Sequence, residues 1–363
     1  MPTPTSTTWP IEPHTKAKHE ILRRYLGAWF PILSAYHGRI LYMDGFAGPG
    51  EYRGGESGSP IVALEVAANH RKGIRGEIIF WFVDERKDRI DHLQELLIRR
   101  TVPRNFIIKV SHGEFHEVLG IVLDELEKQD TVIAPTFAFV DPFGFSGVPM
   151  KLLHRLLRYP RTEAFITFMI SSVNRFLKHP DPQIIAHMIE LFGTEEVLKI
   201  TAGGGDKMAN LRALYQRQLK QAAAYVRYFH MRDSRSLPIY DLFFAGNHEL
   251  GHYRMKEAMW KVDPDGKFTF SDATDPAQLV LFTQDHTPSI LDALCMRFKG
   301  GSDVSVSRIK KWVRDETPFL DSHMKAALRM GEEKERVKVN LIKTSGERRR
   351  RGTFPDEVLV TFP

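Results

Sequence analysis

The residues able to do chemistry sit where short apolar runs end. The most informative run is Leu41-Tyr42-Met43-Asp44-Gly45-Phe46-Ala47-Gly48-Pro49-Gly50, an apolar strand that ends in a carboxylate and opens into a glycine-rich turn. Glycine lets a backbone approach a ligand closely, with no side chain between them. The pattern D-x-F-A-G-x-G is not the G-x-G-x-x-G of a dinucleotide turn, and it lacks the Gly-Lys-Ser/Thr of a phosphate loop. It favours a nucleoside with a neutral or cationic tail over a pyrophosphate, and makes Asp44, Phe46, Gly48 and Gly50 candidate binding residues. An ordinary strand-to-helix turn that needs glycine looks the same.

Three later strand ends carry related chemistry. Trp81-Phe82-Val83-Asp84-Glu85 places a carboxylate where Rossmann-like sheets grip a ribose diol, with Asp84 the better candidate and Glu85 a helix-start charge. Val110-Ser111-His112-Gly113-Glu114 brings Glu114 to the same edge, within reach of an adenine amine. Singly, each carboxylate also serves as a helix cap. The fourth run is Phe137-Ala138-Phe139-Val140-Asp141-Pro142-Phe143-Gly144-Phe145. Chemistry at an exocyclic amine needs a carboxylate and a carbonyl to accept its protons, and an aromatic face to hold an extruded base. Asp141, the Pro142 carbonyl and Phe143 or Phe145 meet those needs, although an Asp-Pro turn is also a common strand end.

Two further motifs compete for attention. His248-Glu249-Leu250-Gly251-His252 matches the H-E-x-x-H zinc signature, which requires a continuous helix and a third ligand. Gly246-Asn247 reads as a turn, Gly251 weakens a helix, and Ala258 stands where the third ligand would be, so no metal is expected. Near the C-terminus, Arg348-Arg349-Arg350-Arg351 repel one another by up to about 1 kcal/mol per close pair in water, a cost that phosphate contact relieves. Exposed cations on the preceding helices (Arg308, Lys310, Lys311, Arg314, Lys325, Arg329) read as a solvated face.

The elements that would position these residues alternate over about two hundred residues in the manner of βαβ units. Strands are expected at Arg39–Asp44, Ile78–Asp84, Phe106–Val110, Pro135–Asp141 and Glu163–Met169, with amphipathic helices at Pro60–Asn69, Lys87–Arg99, Phe115–Gln129 and Pro149–Arg158. These make a doubly wound, mostly parallel α/β sheet. A helix at Thr15–Trp29 precedes it, and a helical insertion, about 172–235, follows with a glycine break at Gly203–Gly205. Ile239–Ala245, the helix Leu250–Trp260 and a strand near Lys267–Ser271 close the sheet with an antiparallel pair. Helices at Ser289–Phe298, Val306–Asp315 and Phe319–Met330, then strand-like Val337–Ile342 and Val358–Phe362 around the basic turn Gly346–Gly352, are expected to form a winged helix, a module that binds nucleic acid or docks a protein.

A chain of 363 residues accommodates two domains, 1–285 and 286–363. Residues 286–363 hold 16 Lys+Arg against 11 Asp+Glu, so +5 of the formal +6 lies in this last fifth, where a polyanion partner is expected. With no apolar run of about 18 residues and no signal peptide, a soluble cytoplasmic protein is expected. The single cysteine, Cys295, excludes internal disulfides and is expected to be a buried hydrophobe on a helix.

With these residues in view, the chain resembles the three-Cys-motif partner family. The resemblance rests on Thr15-Lys16-Ala17-Lys18-His19-Glu20-Ile21-Leu22, the Tyr42–Gly48 turn, Gly58-Ser59-Pro60, Asp141-Pro142-Phe143-Gly144 and Met255-Lys256-Glu257-Ala258-Met259-Trp260-Lys261. The first domain is also similar to the large-subunit ribosomal-RNA adenine-N6 methyltransferases. What the resemblance implies is a Rossmann-like class I methyltransferase fold with S-adenosylmethionine as cofactor, Lys18 and His19 bordering it, and Asp141 as catalytic acceptor. It also implies a partner, a radical-SAM-like protein bearing the cysteine motif. Those methyltransferases have Asp-Pro-Pro-Tyr where this chain has Asp141-Pro142-Phe143-Gly144, so base stacking falls to Phe143 or Phe145 in a different geometry, or does not occur. Two functions follow: amino-group methylation of nucleic acid, or a non-catalytic subunit that delivers nucleic acid to the cysteine-motif protein. A zinc peptidase is a distant third.

Overall fold

The computed structural model describes residues 4–71, 73–200, 206–263, 267–272 and 285–363, so the expected Gly203–Gly205 break lies outside the described residues. The chain divides into two compact units, Met1–Val262 with Thr269–Pro276, and Asp263–Phe268 with Ala277–Pro363. No helix among the described residues is long and apolar enough to cross a membrane.

The first unit opens with α1 (Pro13–Tyr36) and then alternates strand and helix: β1 (Arg39–Asp44), α2 (Ser59–Ala68), β2 (Glu77–Asp84), α3 (Lys87–Ile98), β3 (Phe106–His112), α4 (Phe115–Lys128), β4 (Thr136–Val140), α5 (Met150–Leu157) and β5 (Thr162–Phe168). Next come α6 (Ile170–Phe176), α7 (Pro182–Phe192), α8 (Glu196–Lys199) and α9 (Lys207–Leu219), then β6 (Tyr225–Arg232), β7 (Pro238–Gly246), α10 (Glu249–Val262) and β8 (Thr269–Ser271). The sheet order is β3-β2-β1-β4-β5-β7-β6-β8, parallel from β3 to β5 and antiparallel where β7 meets β5 and β6. This is a doubly wound, Rossmann-like arrangement, with its switch point between β1 and β4.

Both faces are covered, which is why β1, β2 and β4 read as nearly continuous apolar runs. Period-two alternation divides them. Tyr42, Phe80 and Phe137 meet the aromatic stripe Tyr25, Trp29 and Phe30 of α1, whereas Met43, Val83 and Val140 share a core with Leu119 of α4 and Leu153 of α5. That aromatic packing carries α1 through Pro31 to Tyr36, beyond the expected end at Trp29.

One expectation fails. Residues 225–232, assigned to the helical insertion, form strand β6, and the antiparallel hairpin is β6–β7, with β8 lying parallel to β6. Tyr225, Val226, Tyr228 and Phe229 are strand formers interleaved with Arg and His, and Val226, Phe229 and Met231 bury against the sheet and decide the outcome.

The second unit contains α11 (Thr287–Arg297), β9 (Val304–Ser305), α12 (Val306–Glu316), α13 (Asp321–Glu333), β10 (Lys338–Val339) and β11 (Leu359–Thr361). β11 lies between β10 and β9, antiparallel to both. Leu291, Leu294, Ile309, Val313, Leu328 and Val360 form its core. Cys295, expected to be buried, is partly exposed on α11.

Candidate functional site

The glycine turn after β1 is held by the end of β2. The Gly48 amide donates to Asp84 Oδ2 at 2.8 Å and the Arg86 amide to Asp84 Oδ1 at 2.9 Å, so this buried carboxylate fastens the turn. Gly48 and Gly50 have φ of +61° and +84°, values that an L side chain rarely adopts. Asp44, at the end of β1, is fully buried, and receives the Phe46 amide at 3.3 Å and the Tyr42 hydroxyl at 3.4 Å. Burial pushes its carboxyl up to about 7; hydrogen bonds from Ser59 and Phe46 resist, and the charges of Asp141 and Asp84 push further.

Asp141 lies just past β4 with both oxygens engaged, Oδ2 by Lys18 Nζ and Oδ1 by the Thr167 hydroxyl, each at 2.5 Å. Lys18 Nζ also stands 5.1 Å from the centre of the Tyr240 ring. Its neighbour His19 is held neutral, with a pKa near 3, by burial and by the Lys18 charge, against the pull of Asp141. α1 thus brings Lys18 and His19 to Asp141 at the end of β4.

Two clefts open beside these residues. One, of about 510 Å³, is lined by Phe46, Asp84, Glu85, Glu114, Pro142 and Phe143 among others. Glu114 is exposed there, and pairs with His116 at 3.3 Å. The other, only about 30 Å³, adjoins His19, Gly48, Gly50, Tyr52, Asp141 and Phe143. It is narrow because Trp9 lies across it, with ring centroids 5.6 Å from Tyr52 and 5.5 Å from Phe143. The buried Arg89 guanidinium sits 4.8 Å from the Trp9 ring and 5.1 Å from the Phe143 ring. Phe145 turns away and packs on Phe176 at 5.6 Å, so of the two candidate aromatics only Phe143 reaches the clefts.

The sequence reading missed Trp9, Tyr52, Arg89, Thr167 and Tyr240. Only Thr167 had a usable signal. Val140 pairs with Ile166, so the residues that follow them, Asp141 just past β4 and Thr167 still within β5, stand side by side.

No family model and no curated protein sequence matches the chain. Similar solved structures include Trm1 from Pyrococcus horikoshii with S-adenosyl-L-methionine, at 14% identity over 69% of this chain with a TM-score of 0.35. The chain spans only 60% of that protein's length. An O-methyltransferase from Bacillus cereus in complex with SAH has 12% identity, coverage of 66% of this chain and 83% of its own, and a TM-score of 0.35. Human methyltransferase-like protein 13 in complex with SAH has 8% identity, coverage of 75% and 97%, and a TM-score of 0.37. Likenesses this weak carry no conclusion about activity.

The remaining sequence candidates divide. α10 begins at Glu249, so His252 is helical and His248 stands just before the helix, and each histidine serves other contacts. His248 Nδ1 accepts from the Leu250 amide at 3.1 Å, whereas His252 is buried against Tyr225 and Nε2 accepts from Arg227 at 3.2 Å. Burial and the neighbouring Arg227 and Lys256 charges hold His252 neutral, with a pKa near 3. In the second unit, Arg348, Arg350 and Arg351 are exposed, but Arg349 is not available to phosphate. Its side chain is 0% exposed, pairs with Glu332 and donates to the Asn340 carbonyl at 2.7 Å. A lone cation inside a small core is satisfied locally, and the arginine run misled because it was read without the burial of alternate residues.

Proposed function

We propose that the chain binds S-adenosylmethionine at the β1–β4 edge and methylates an amino group of nucleic acid. The observation that carries this is the carboxylate cluster. Asp44, Asp84 and Asp141 surround a glycine turn, and Asp44 is driven toward the neutral form by burial and by the other two. A site so arranged gains most from a ligand that brings positive charge. Asp44, Phe46, Gly48 and Gly50 would hold the amino-acid end, Asp84 and Glu114 the nucleoside, with Lys18 and His19 at the border. The cofactor, when bound, supplies an electrophilic methyl group. Lys18 and Thr167 lock the Asp141 carboxylate in one orientation, from which it accepts an amine N–H together with the Pro142 carbonyl.

Nucleic acid would be held by the second unit. Its order of helix, strand, two helices and two strands, with a three-stranded antiparallel sheet, supports a winged helix, and Arg348, Arg350 and Arg351 are the proposed phosphate contacts.

A second function, a non-catalytic subunit that passes nucleic acid to a three-Cys-motif radical-SAM-like partner, is favoured by one observation. Phe143, the aromatic nearest the transfer centre, is engaged by Trp9 and Arg89. Incubation with methyl-labelled S-adenosylmethionine and either DNA or RNA separates the two. Label in nucleic acid, lost in Asp141→Asn, supports methylation; cofactor binding without transfer supports the subunit; absence of cofactor binding overturns the first proposal.

A further inference from the structure

At the opposite edge of the sheet, where β5 begins, lies a cavity of about 540 Å³ among α1, β5 and the first turn of α10. Its volume falls within the range of small-molecule sites, about 300–1,000 Å³. The floor is Glu163, 5% exposed. Glu163 Oε2 accepts the Tyr25 hydroxyl. Oε1 faces Gly251, where an added Cβ would stand 1.9 Å from it, so the glycine of the H-E-x-x-H segment leaves this oxygen its space. Beside the carboxyl is Trp29, 3% exposed, whose indole N–H makes no well-formed hydrogen bond among the described residues. Burial pushes Glu163 up to about 7, with hydrogen bonds from Tyr25 and Trp29 resisting. A buried acceptor and a buried donor therefore lie side by side on the cavity floor, Glu163 taking the Tyr25 hydroxyl on Oε2 and bearing on the Trp29 indole N–H.

Above this floor the walls are apolar, formed by Ile32, Leu33 and Leu250. The lining becomes cationic with Arg161 and Arg254, beside which stand His37 and His248. Arg161 holds its position at a φ of +62°, in the left-handed region uncommon for a non-glycine residue. Arg254 pairs with Glu257 through one terminal nitrogen, while its buried Nε–H has no acceptor among the described residues.

We propose that this cavity binds a purine mononucleotide, the donor and acceptor edge of the base meeting Glu163 and Trp29 and the phosphate meeting Arg161 and Arg254. An adjacent N–H and acceptor on a flat ring complement a carboxylate oxygen and an indole N–H, and the apolar walls suit the ring between edge and tail. The site is independent of the proposed cofactor cleft, which lies at the other end of the strands.

The test is calorimetry of the full chain with GMP, AMP and ribose 5-phosphate, with and without saturating S-adenosylhomocysteine. The expected result is binding of at least one purine nucleotide at least tenfold tighter than ribose 5-phosphate, undiminished by S-adenosylhomocysteine. Glu163→Gln should weaken it about tenfold and Arg254→Ala about threefold, with Asp84→Asn leaving it unchanged. If Glu163→Gln does not fold, Leu33→Trp, which fills the cavity from its wall, should abolish binding. No binding at millimolar nucleotide, equal affinity for ribose 5-phosphate, or loss in Asp84→Asn but not in Leu33→Trp would each overturn the proposal.

Discussion

Binding of S-adenosylmethionine should tighten as pH rises through 7, because the ligand's positive charge competes with the proton on Asp44. Burial leaves Asp44 near 7 in the free protein, against an ordinary value of 3.8. At pH 6 about one Asp44 in ten is ionised, and at pH 8 about nine in ten. If the ligand cation restores the ordinary value, the dissociation constant should fall about tenfold between pH 6 and pH 8 and then level off. Binding should release about 0.9 proton at pH 6 and about 0.1 at pH 8. Titration calorimetry in two buffers of different ionisation enthalpy measures both quantities, and Asp44→Asn should remove the slope. The same group makes the ligand-free protein lose stability as pH rises from about 4 to 7, since in that window the folded state keeps a proton the unfolded state has released. A dissociation constant constant within twofold across this range, or proton uptake on binding, would refute the carboxylate reasoning.

Asp84→Ala leaves the Gly48 and Arg86 amides without their acceptor, at about 1–3 kcal/mol, so both urea stability and cofactor binding should fall. Arg349→Ala should destabilise the second unit by about 3 kcal/mol, read by urea denaturation, since it leaves Glu332 and the Asn340 carbonyl unpaired. By contrast, joint replacement of Arg348, Arg350 and Arg351 by Ala should spare stability and reduce the slope of log K against log[salt] for duplex DNA by up to about 2.7; an unchanged slope would count against phosphate contact. For His252, whose pKa is held near 3, the folded state resists a proton that the unfolded state takes up below 6.5, so its stability contribution is lost as pH falls through that window. His252→Gln should therefore cost most at neutral pH, with the gap to wild type narrowing toward pH 4 in chemical denaturation.

Much of the frame was legible without coordinates because it is written in local periodicity. Fully apolar runs ending in Asp44, Asp84 and Val140, spaced by amphipathic helices, specify a parallel sheet covered on both faces, and the residues at its carboxyl edge follow from chain direction alone. Strand β6 was missed because its strand formers are interleaved with Arg and His without clean alternation, and pairing with β7 decides which of them are buried. Nor were the contacts that define the site. Thr167 and Tyr240 reach the Asp141 pair from β5 and β7, and Trp9 reaches Phe143 from across more than a hundred residues of chain. Arg349 and Gly251 are the clearest cases. One reads as a surface cation and is buried on Glu332; the other reads as a defect in a zinc helix and is the space that Glu163 occupies. The amino-acid order determined which groups exist and which strand end each occupies, since period and direction are local properties. Which charges are buried, and beside what, was decided only in the folded chain, because burial depends on neighbours distant in sequence.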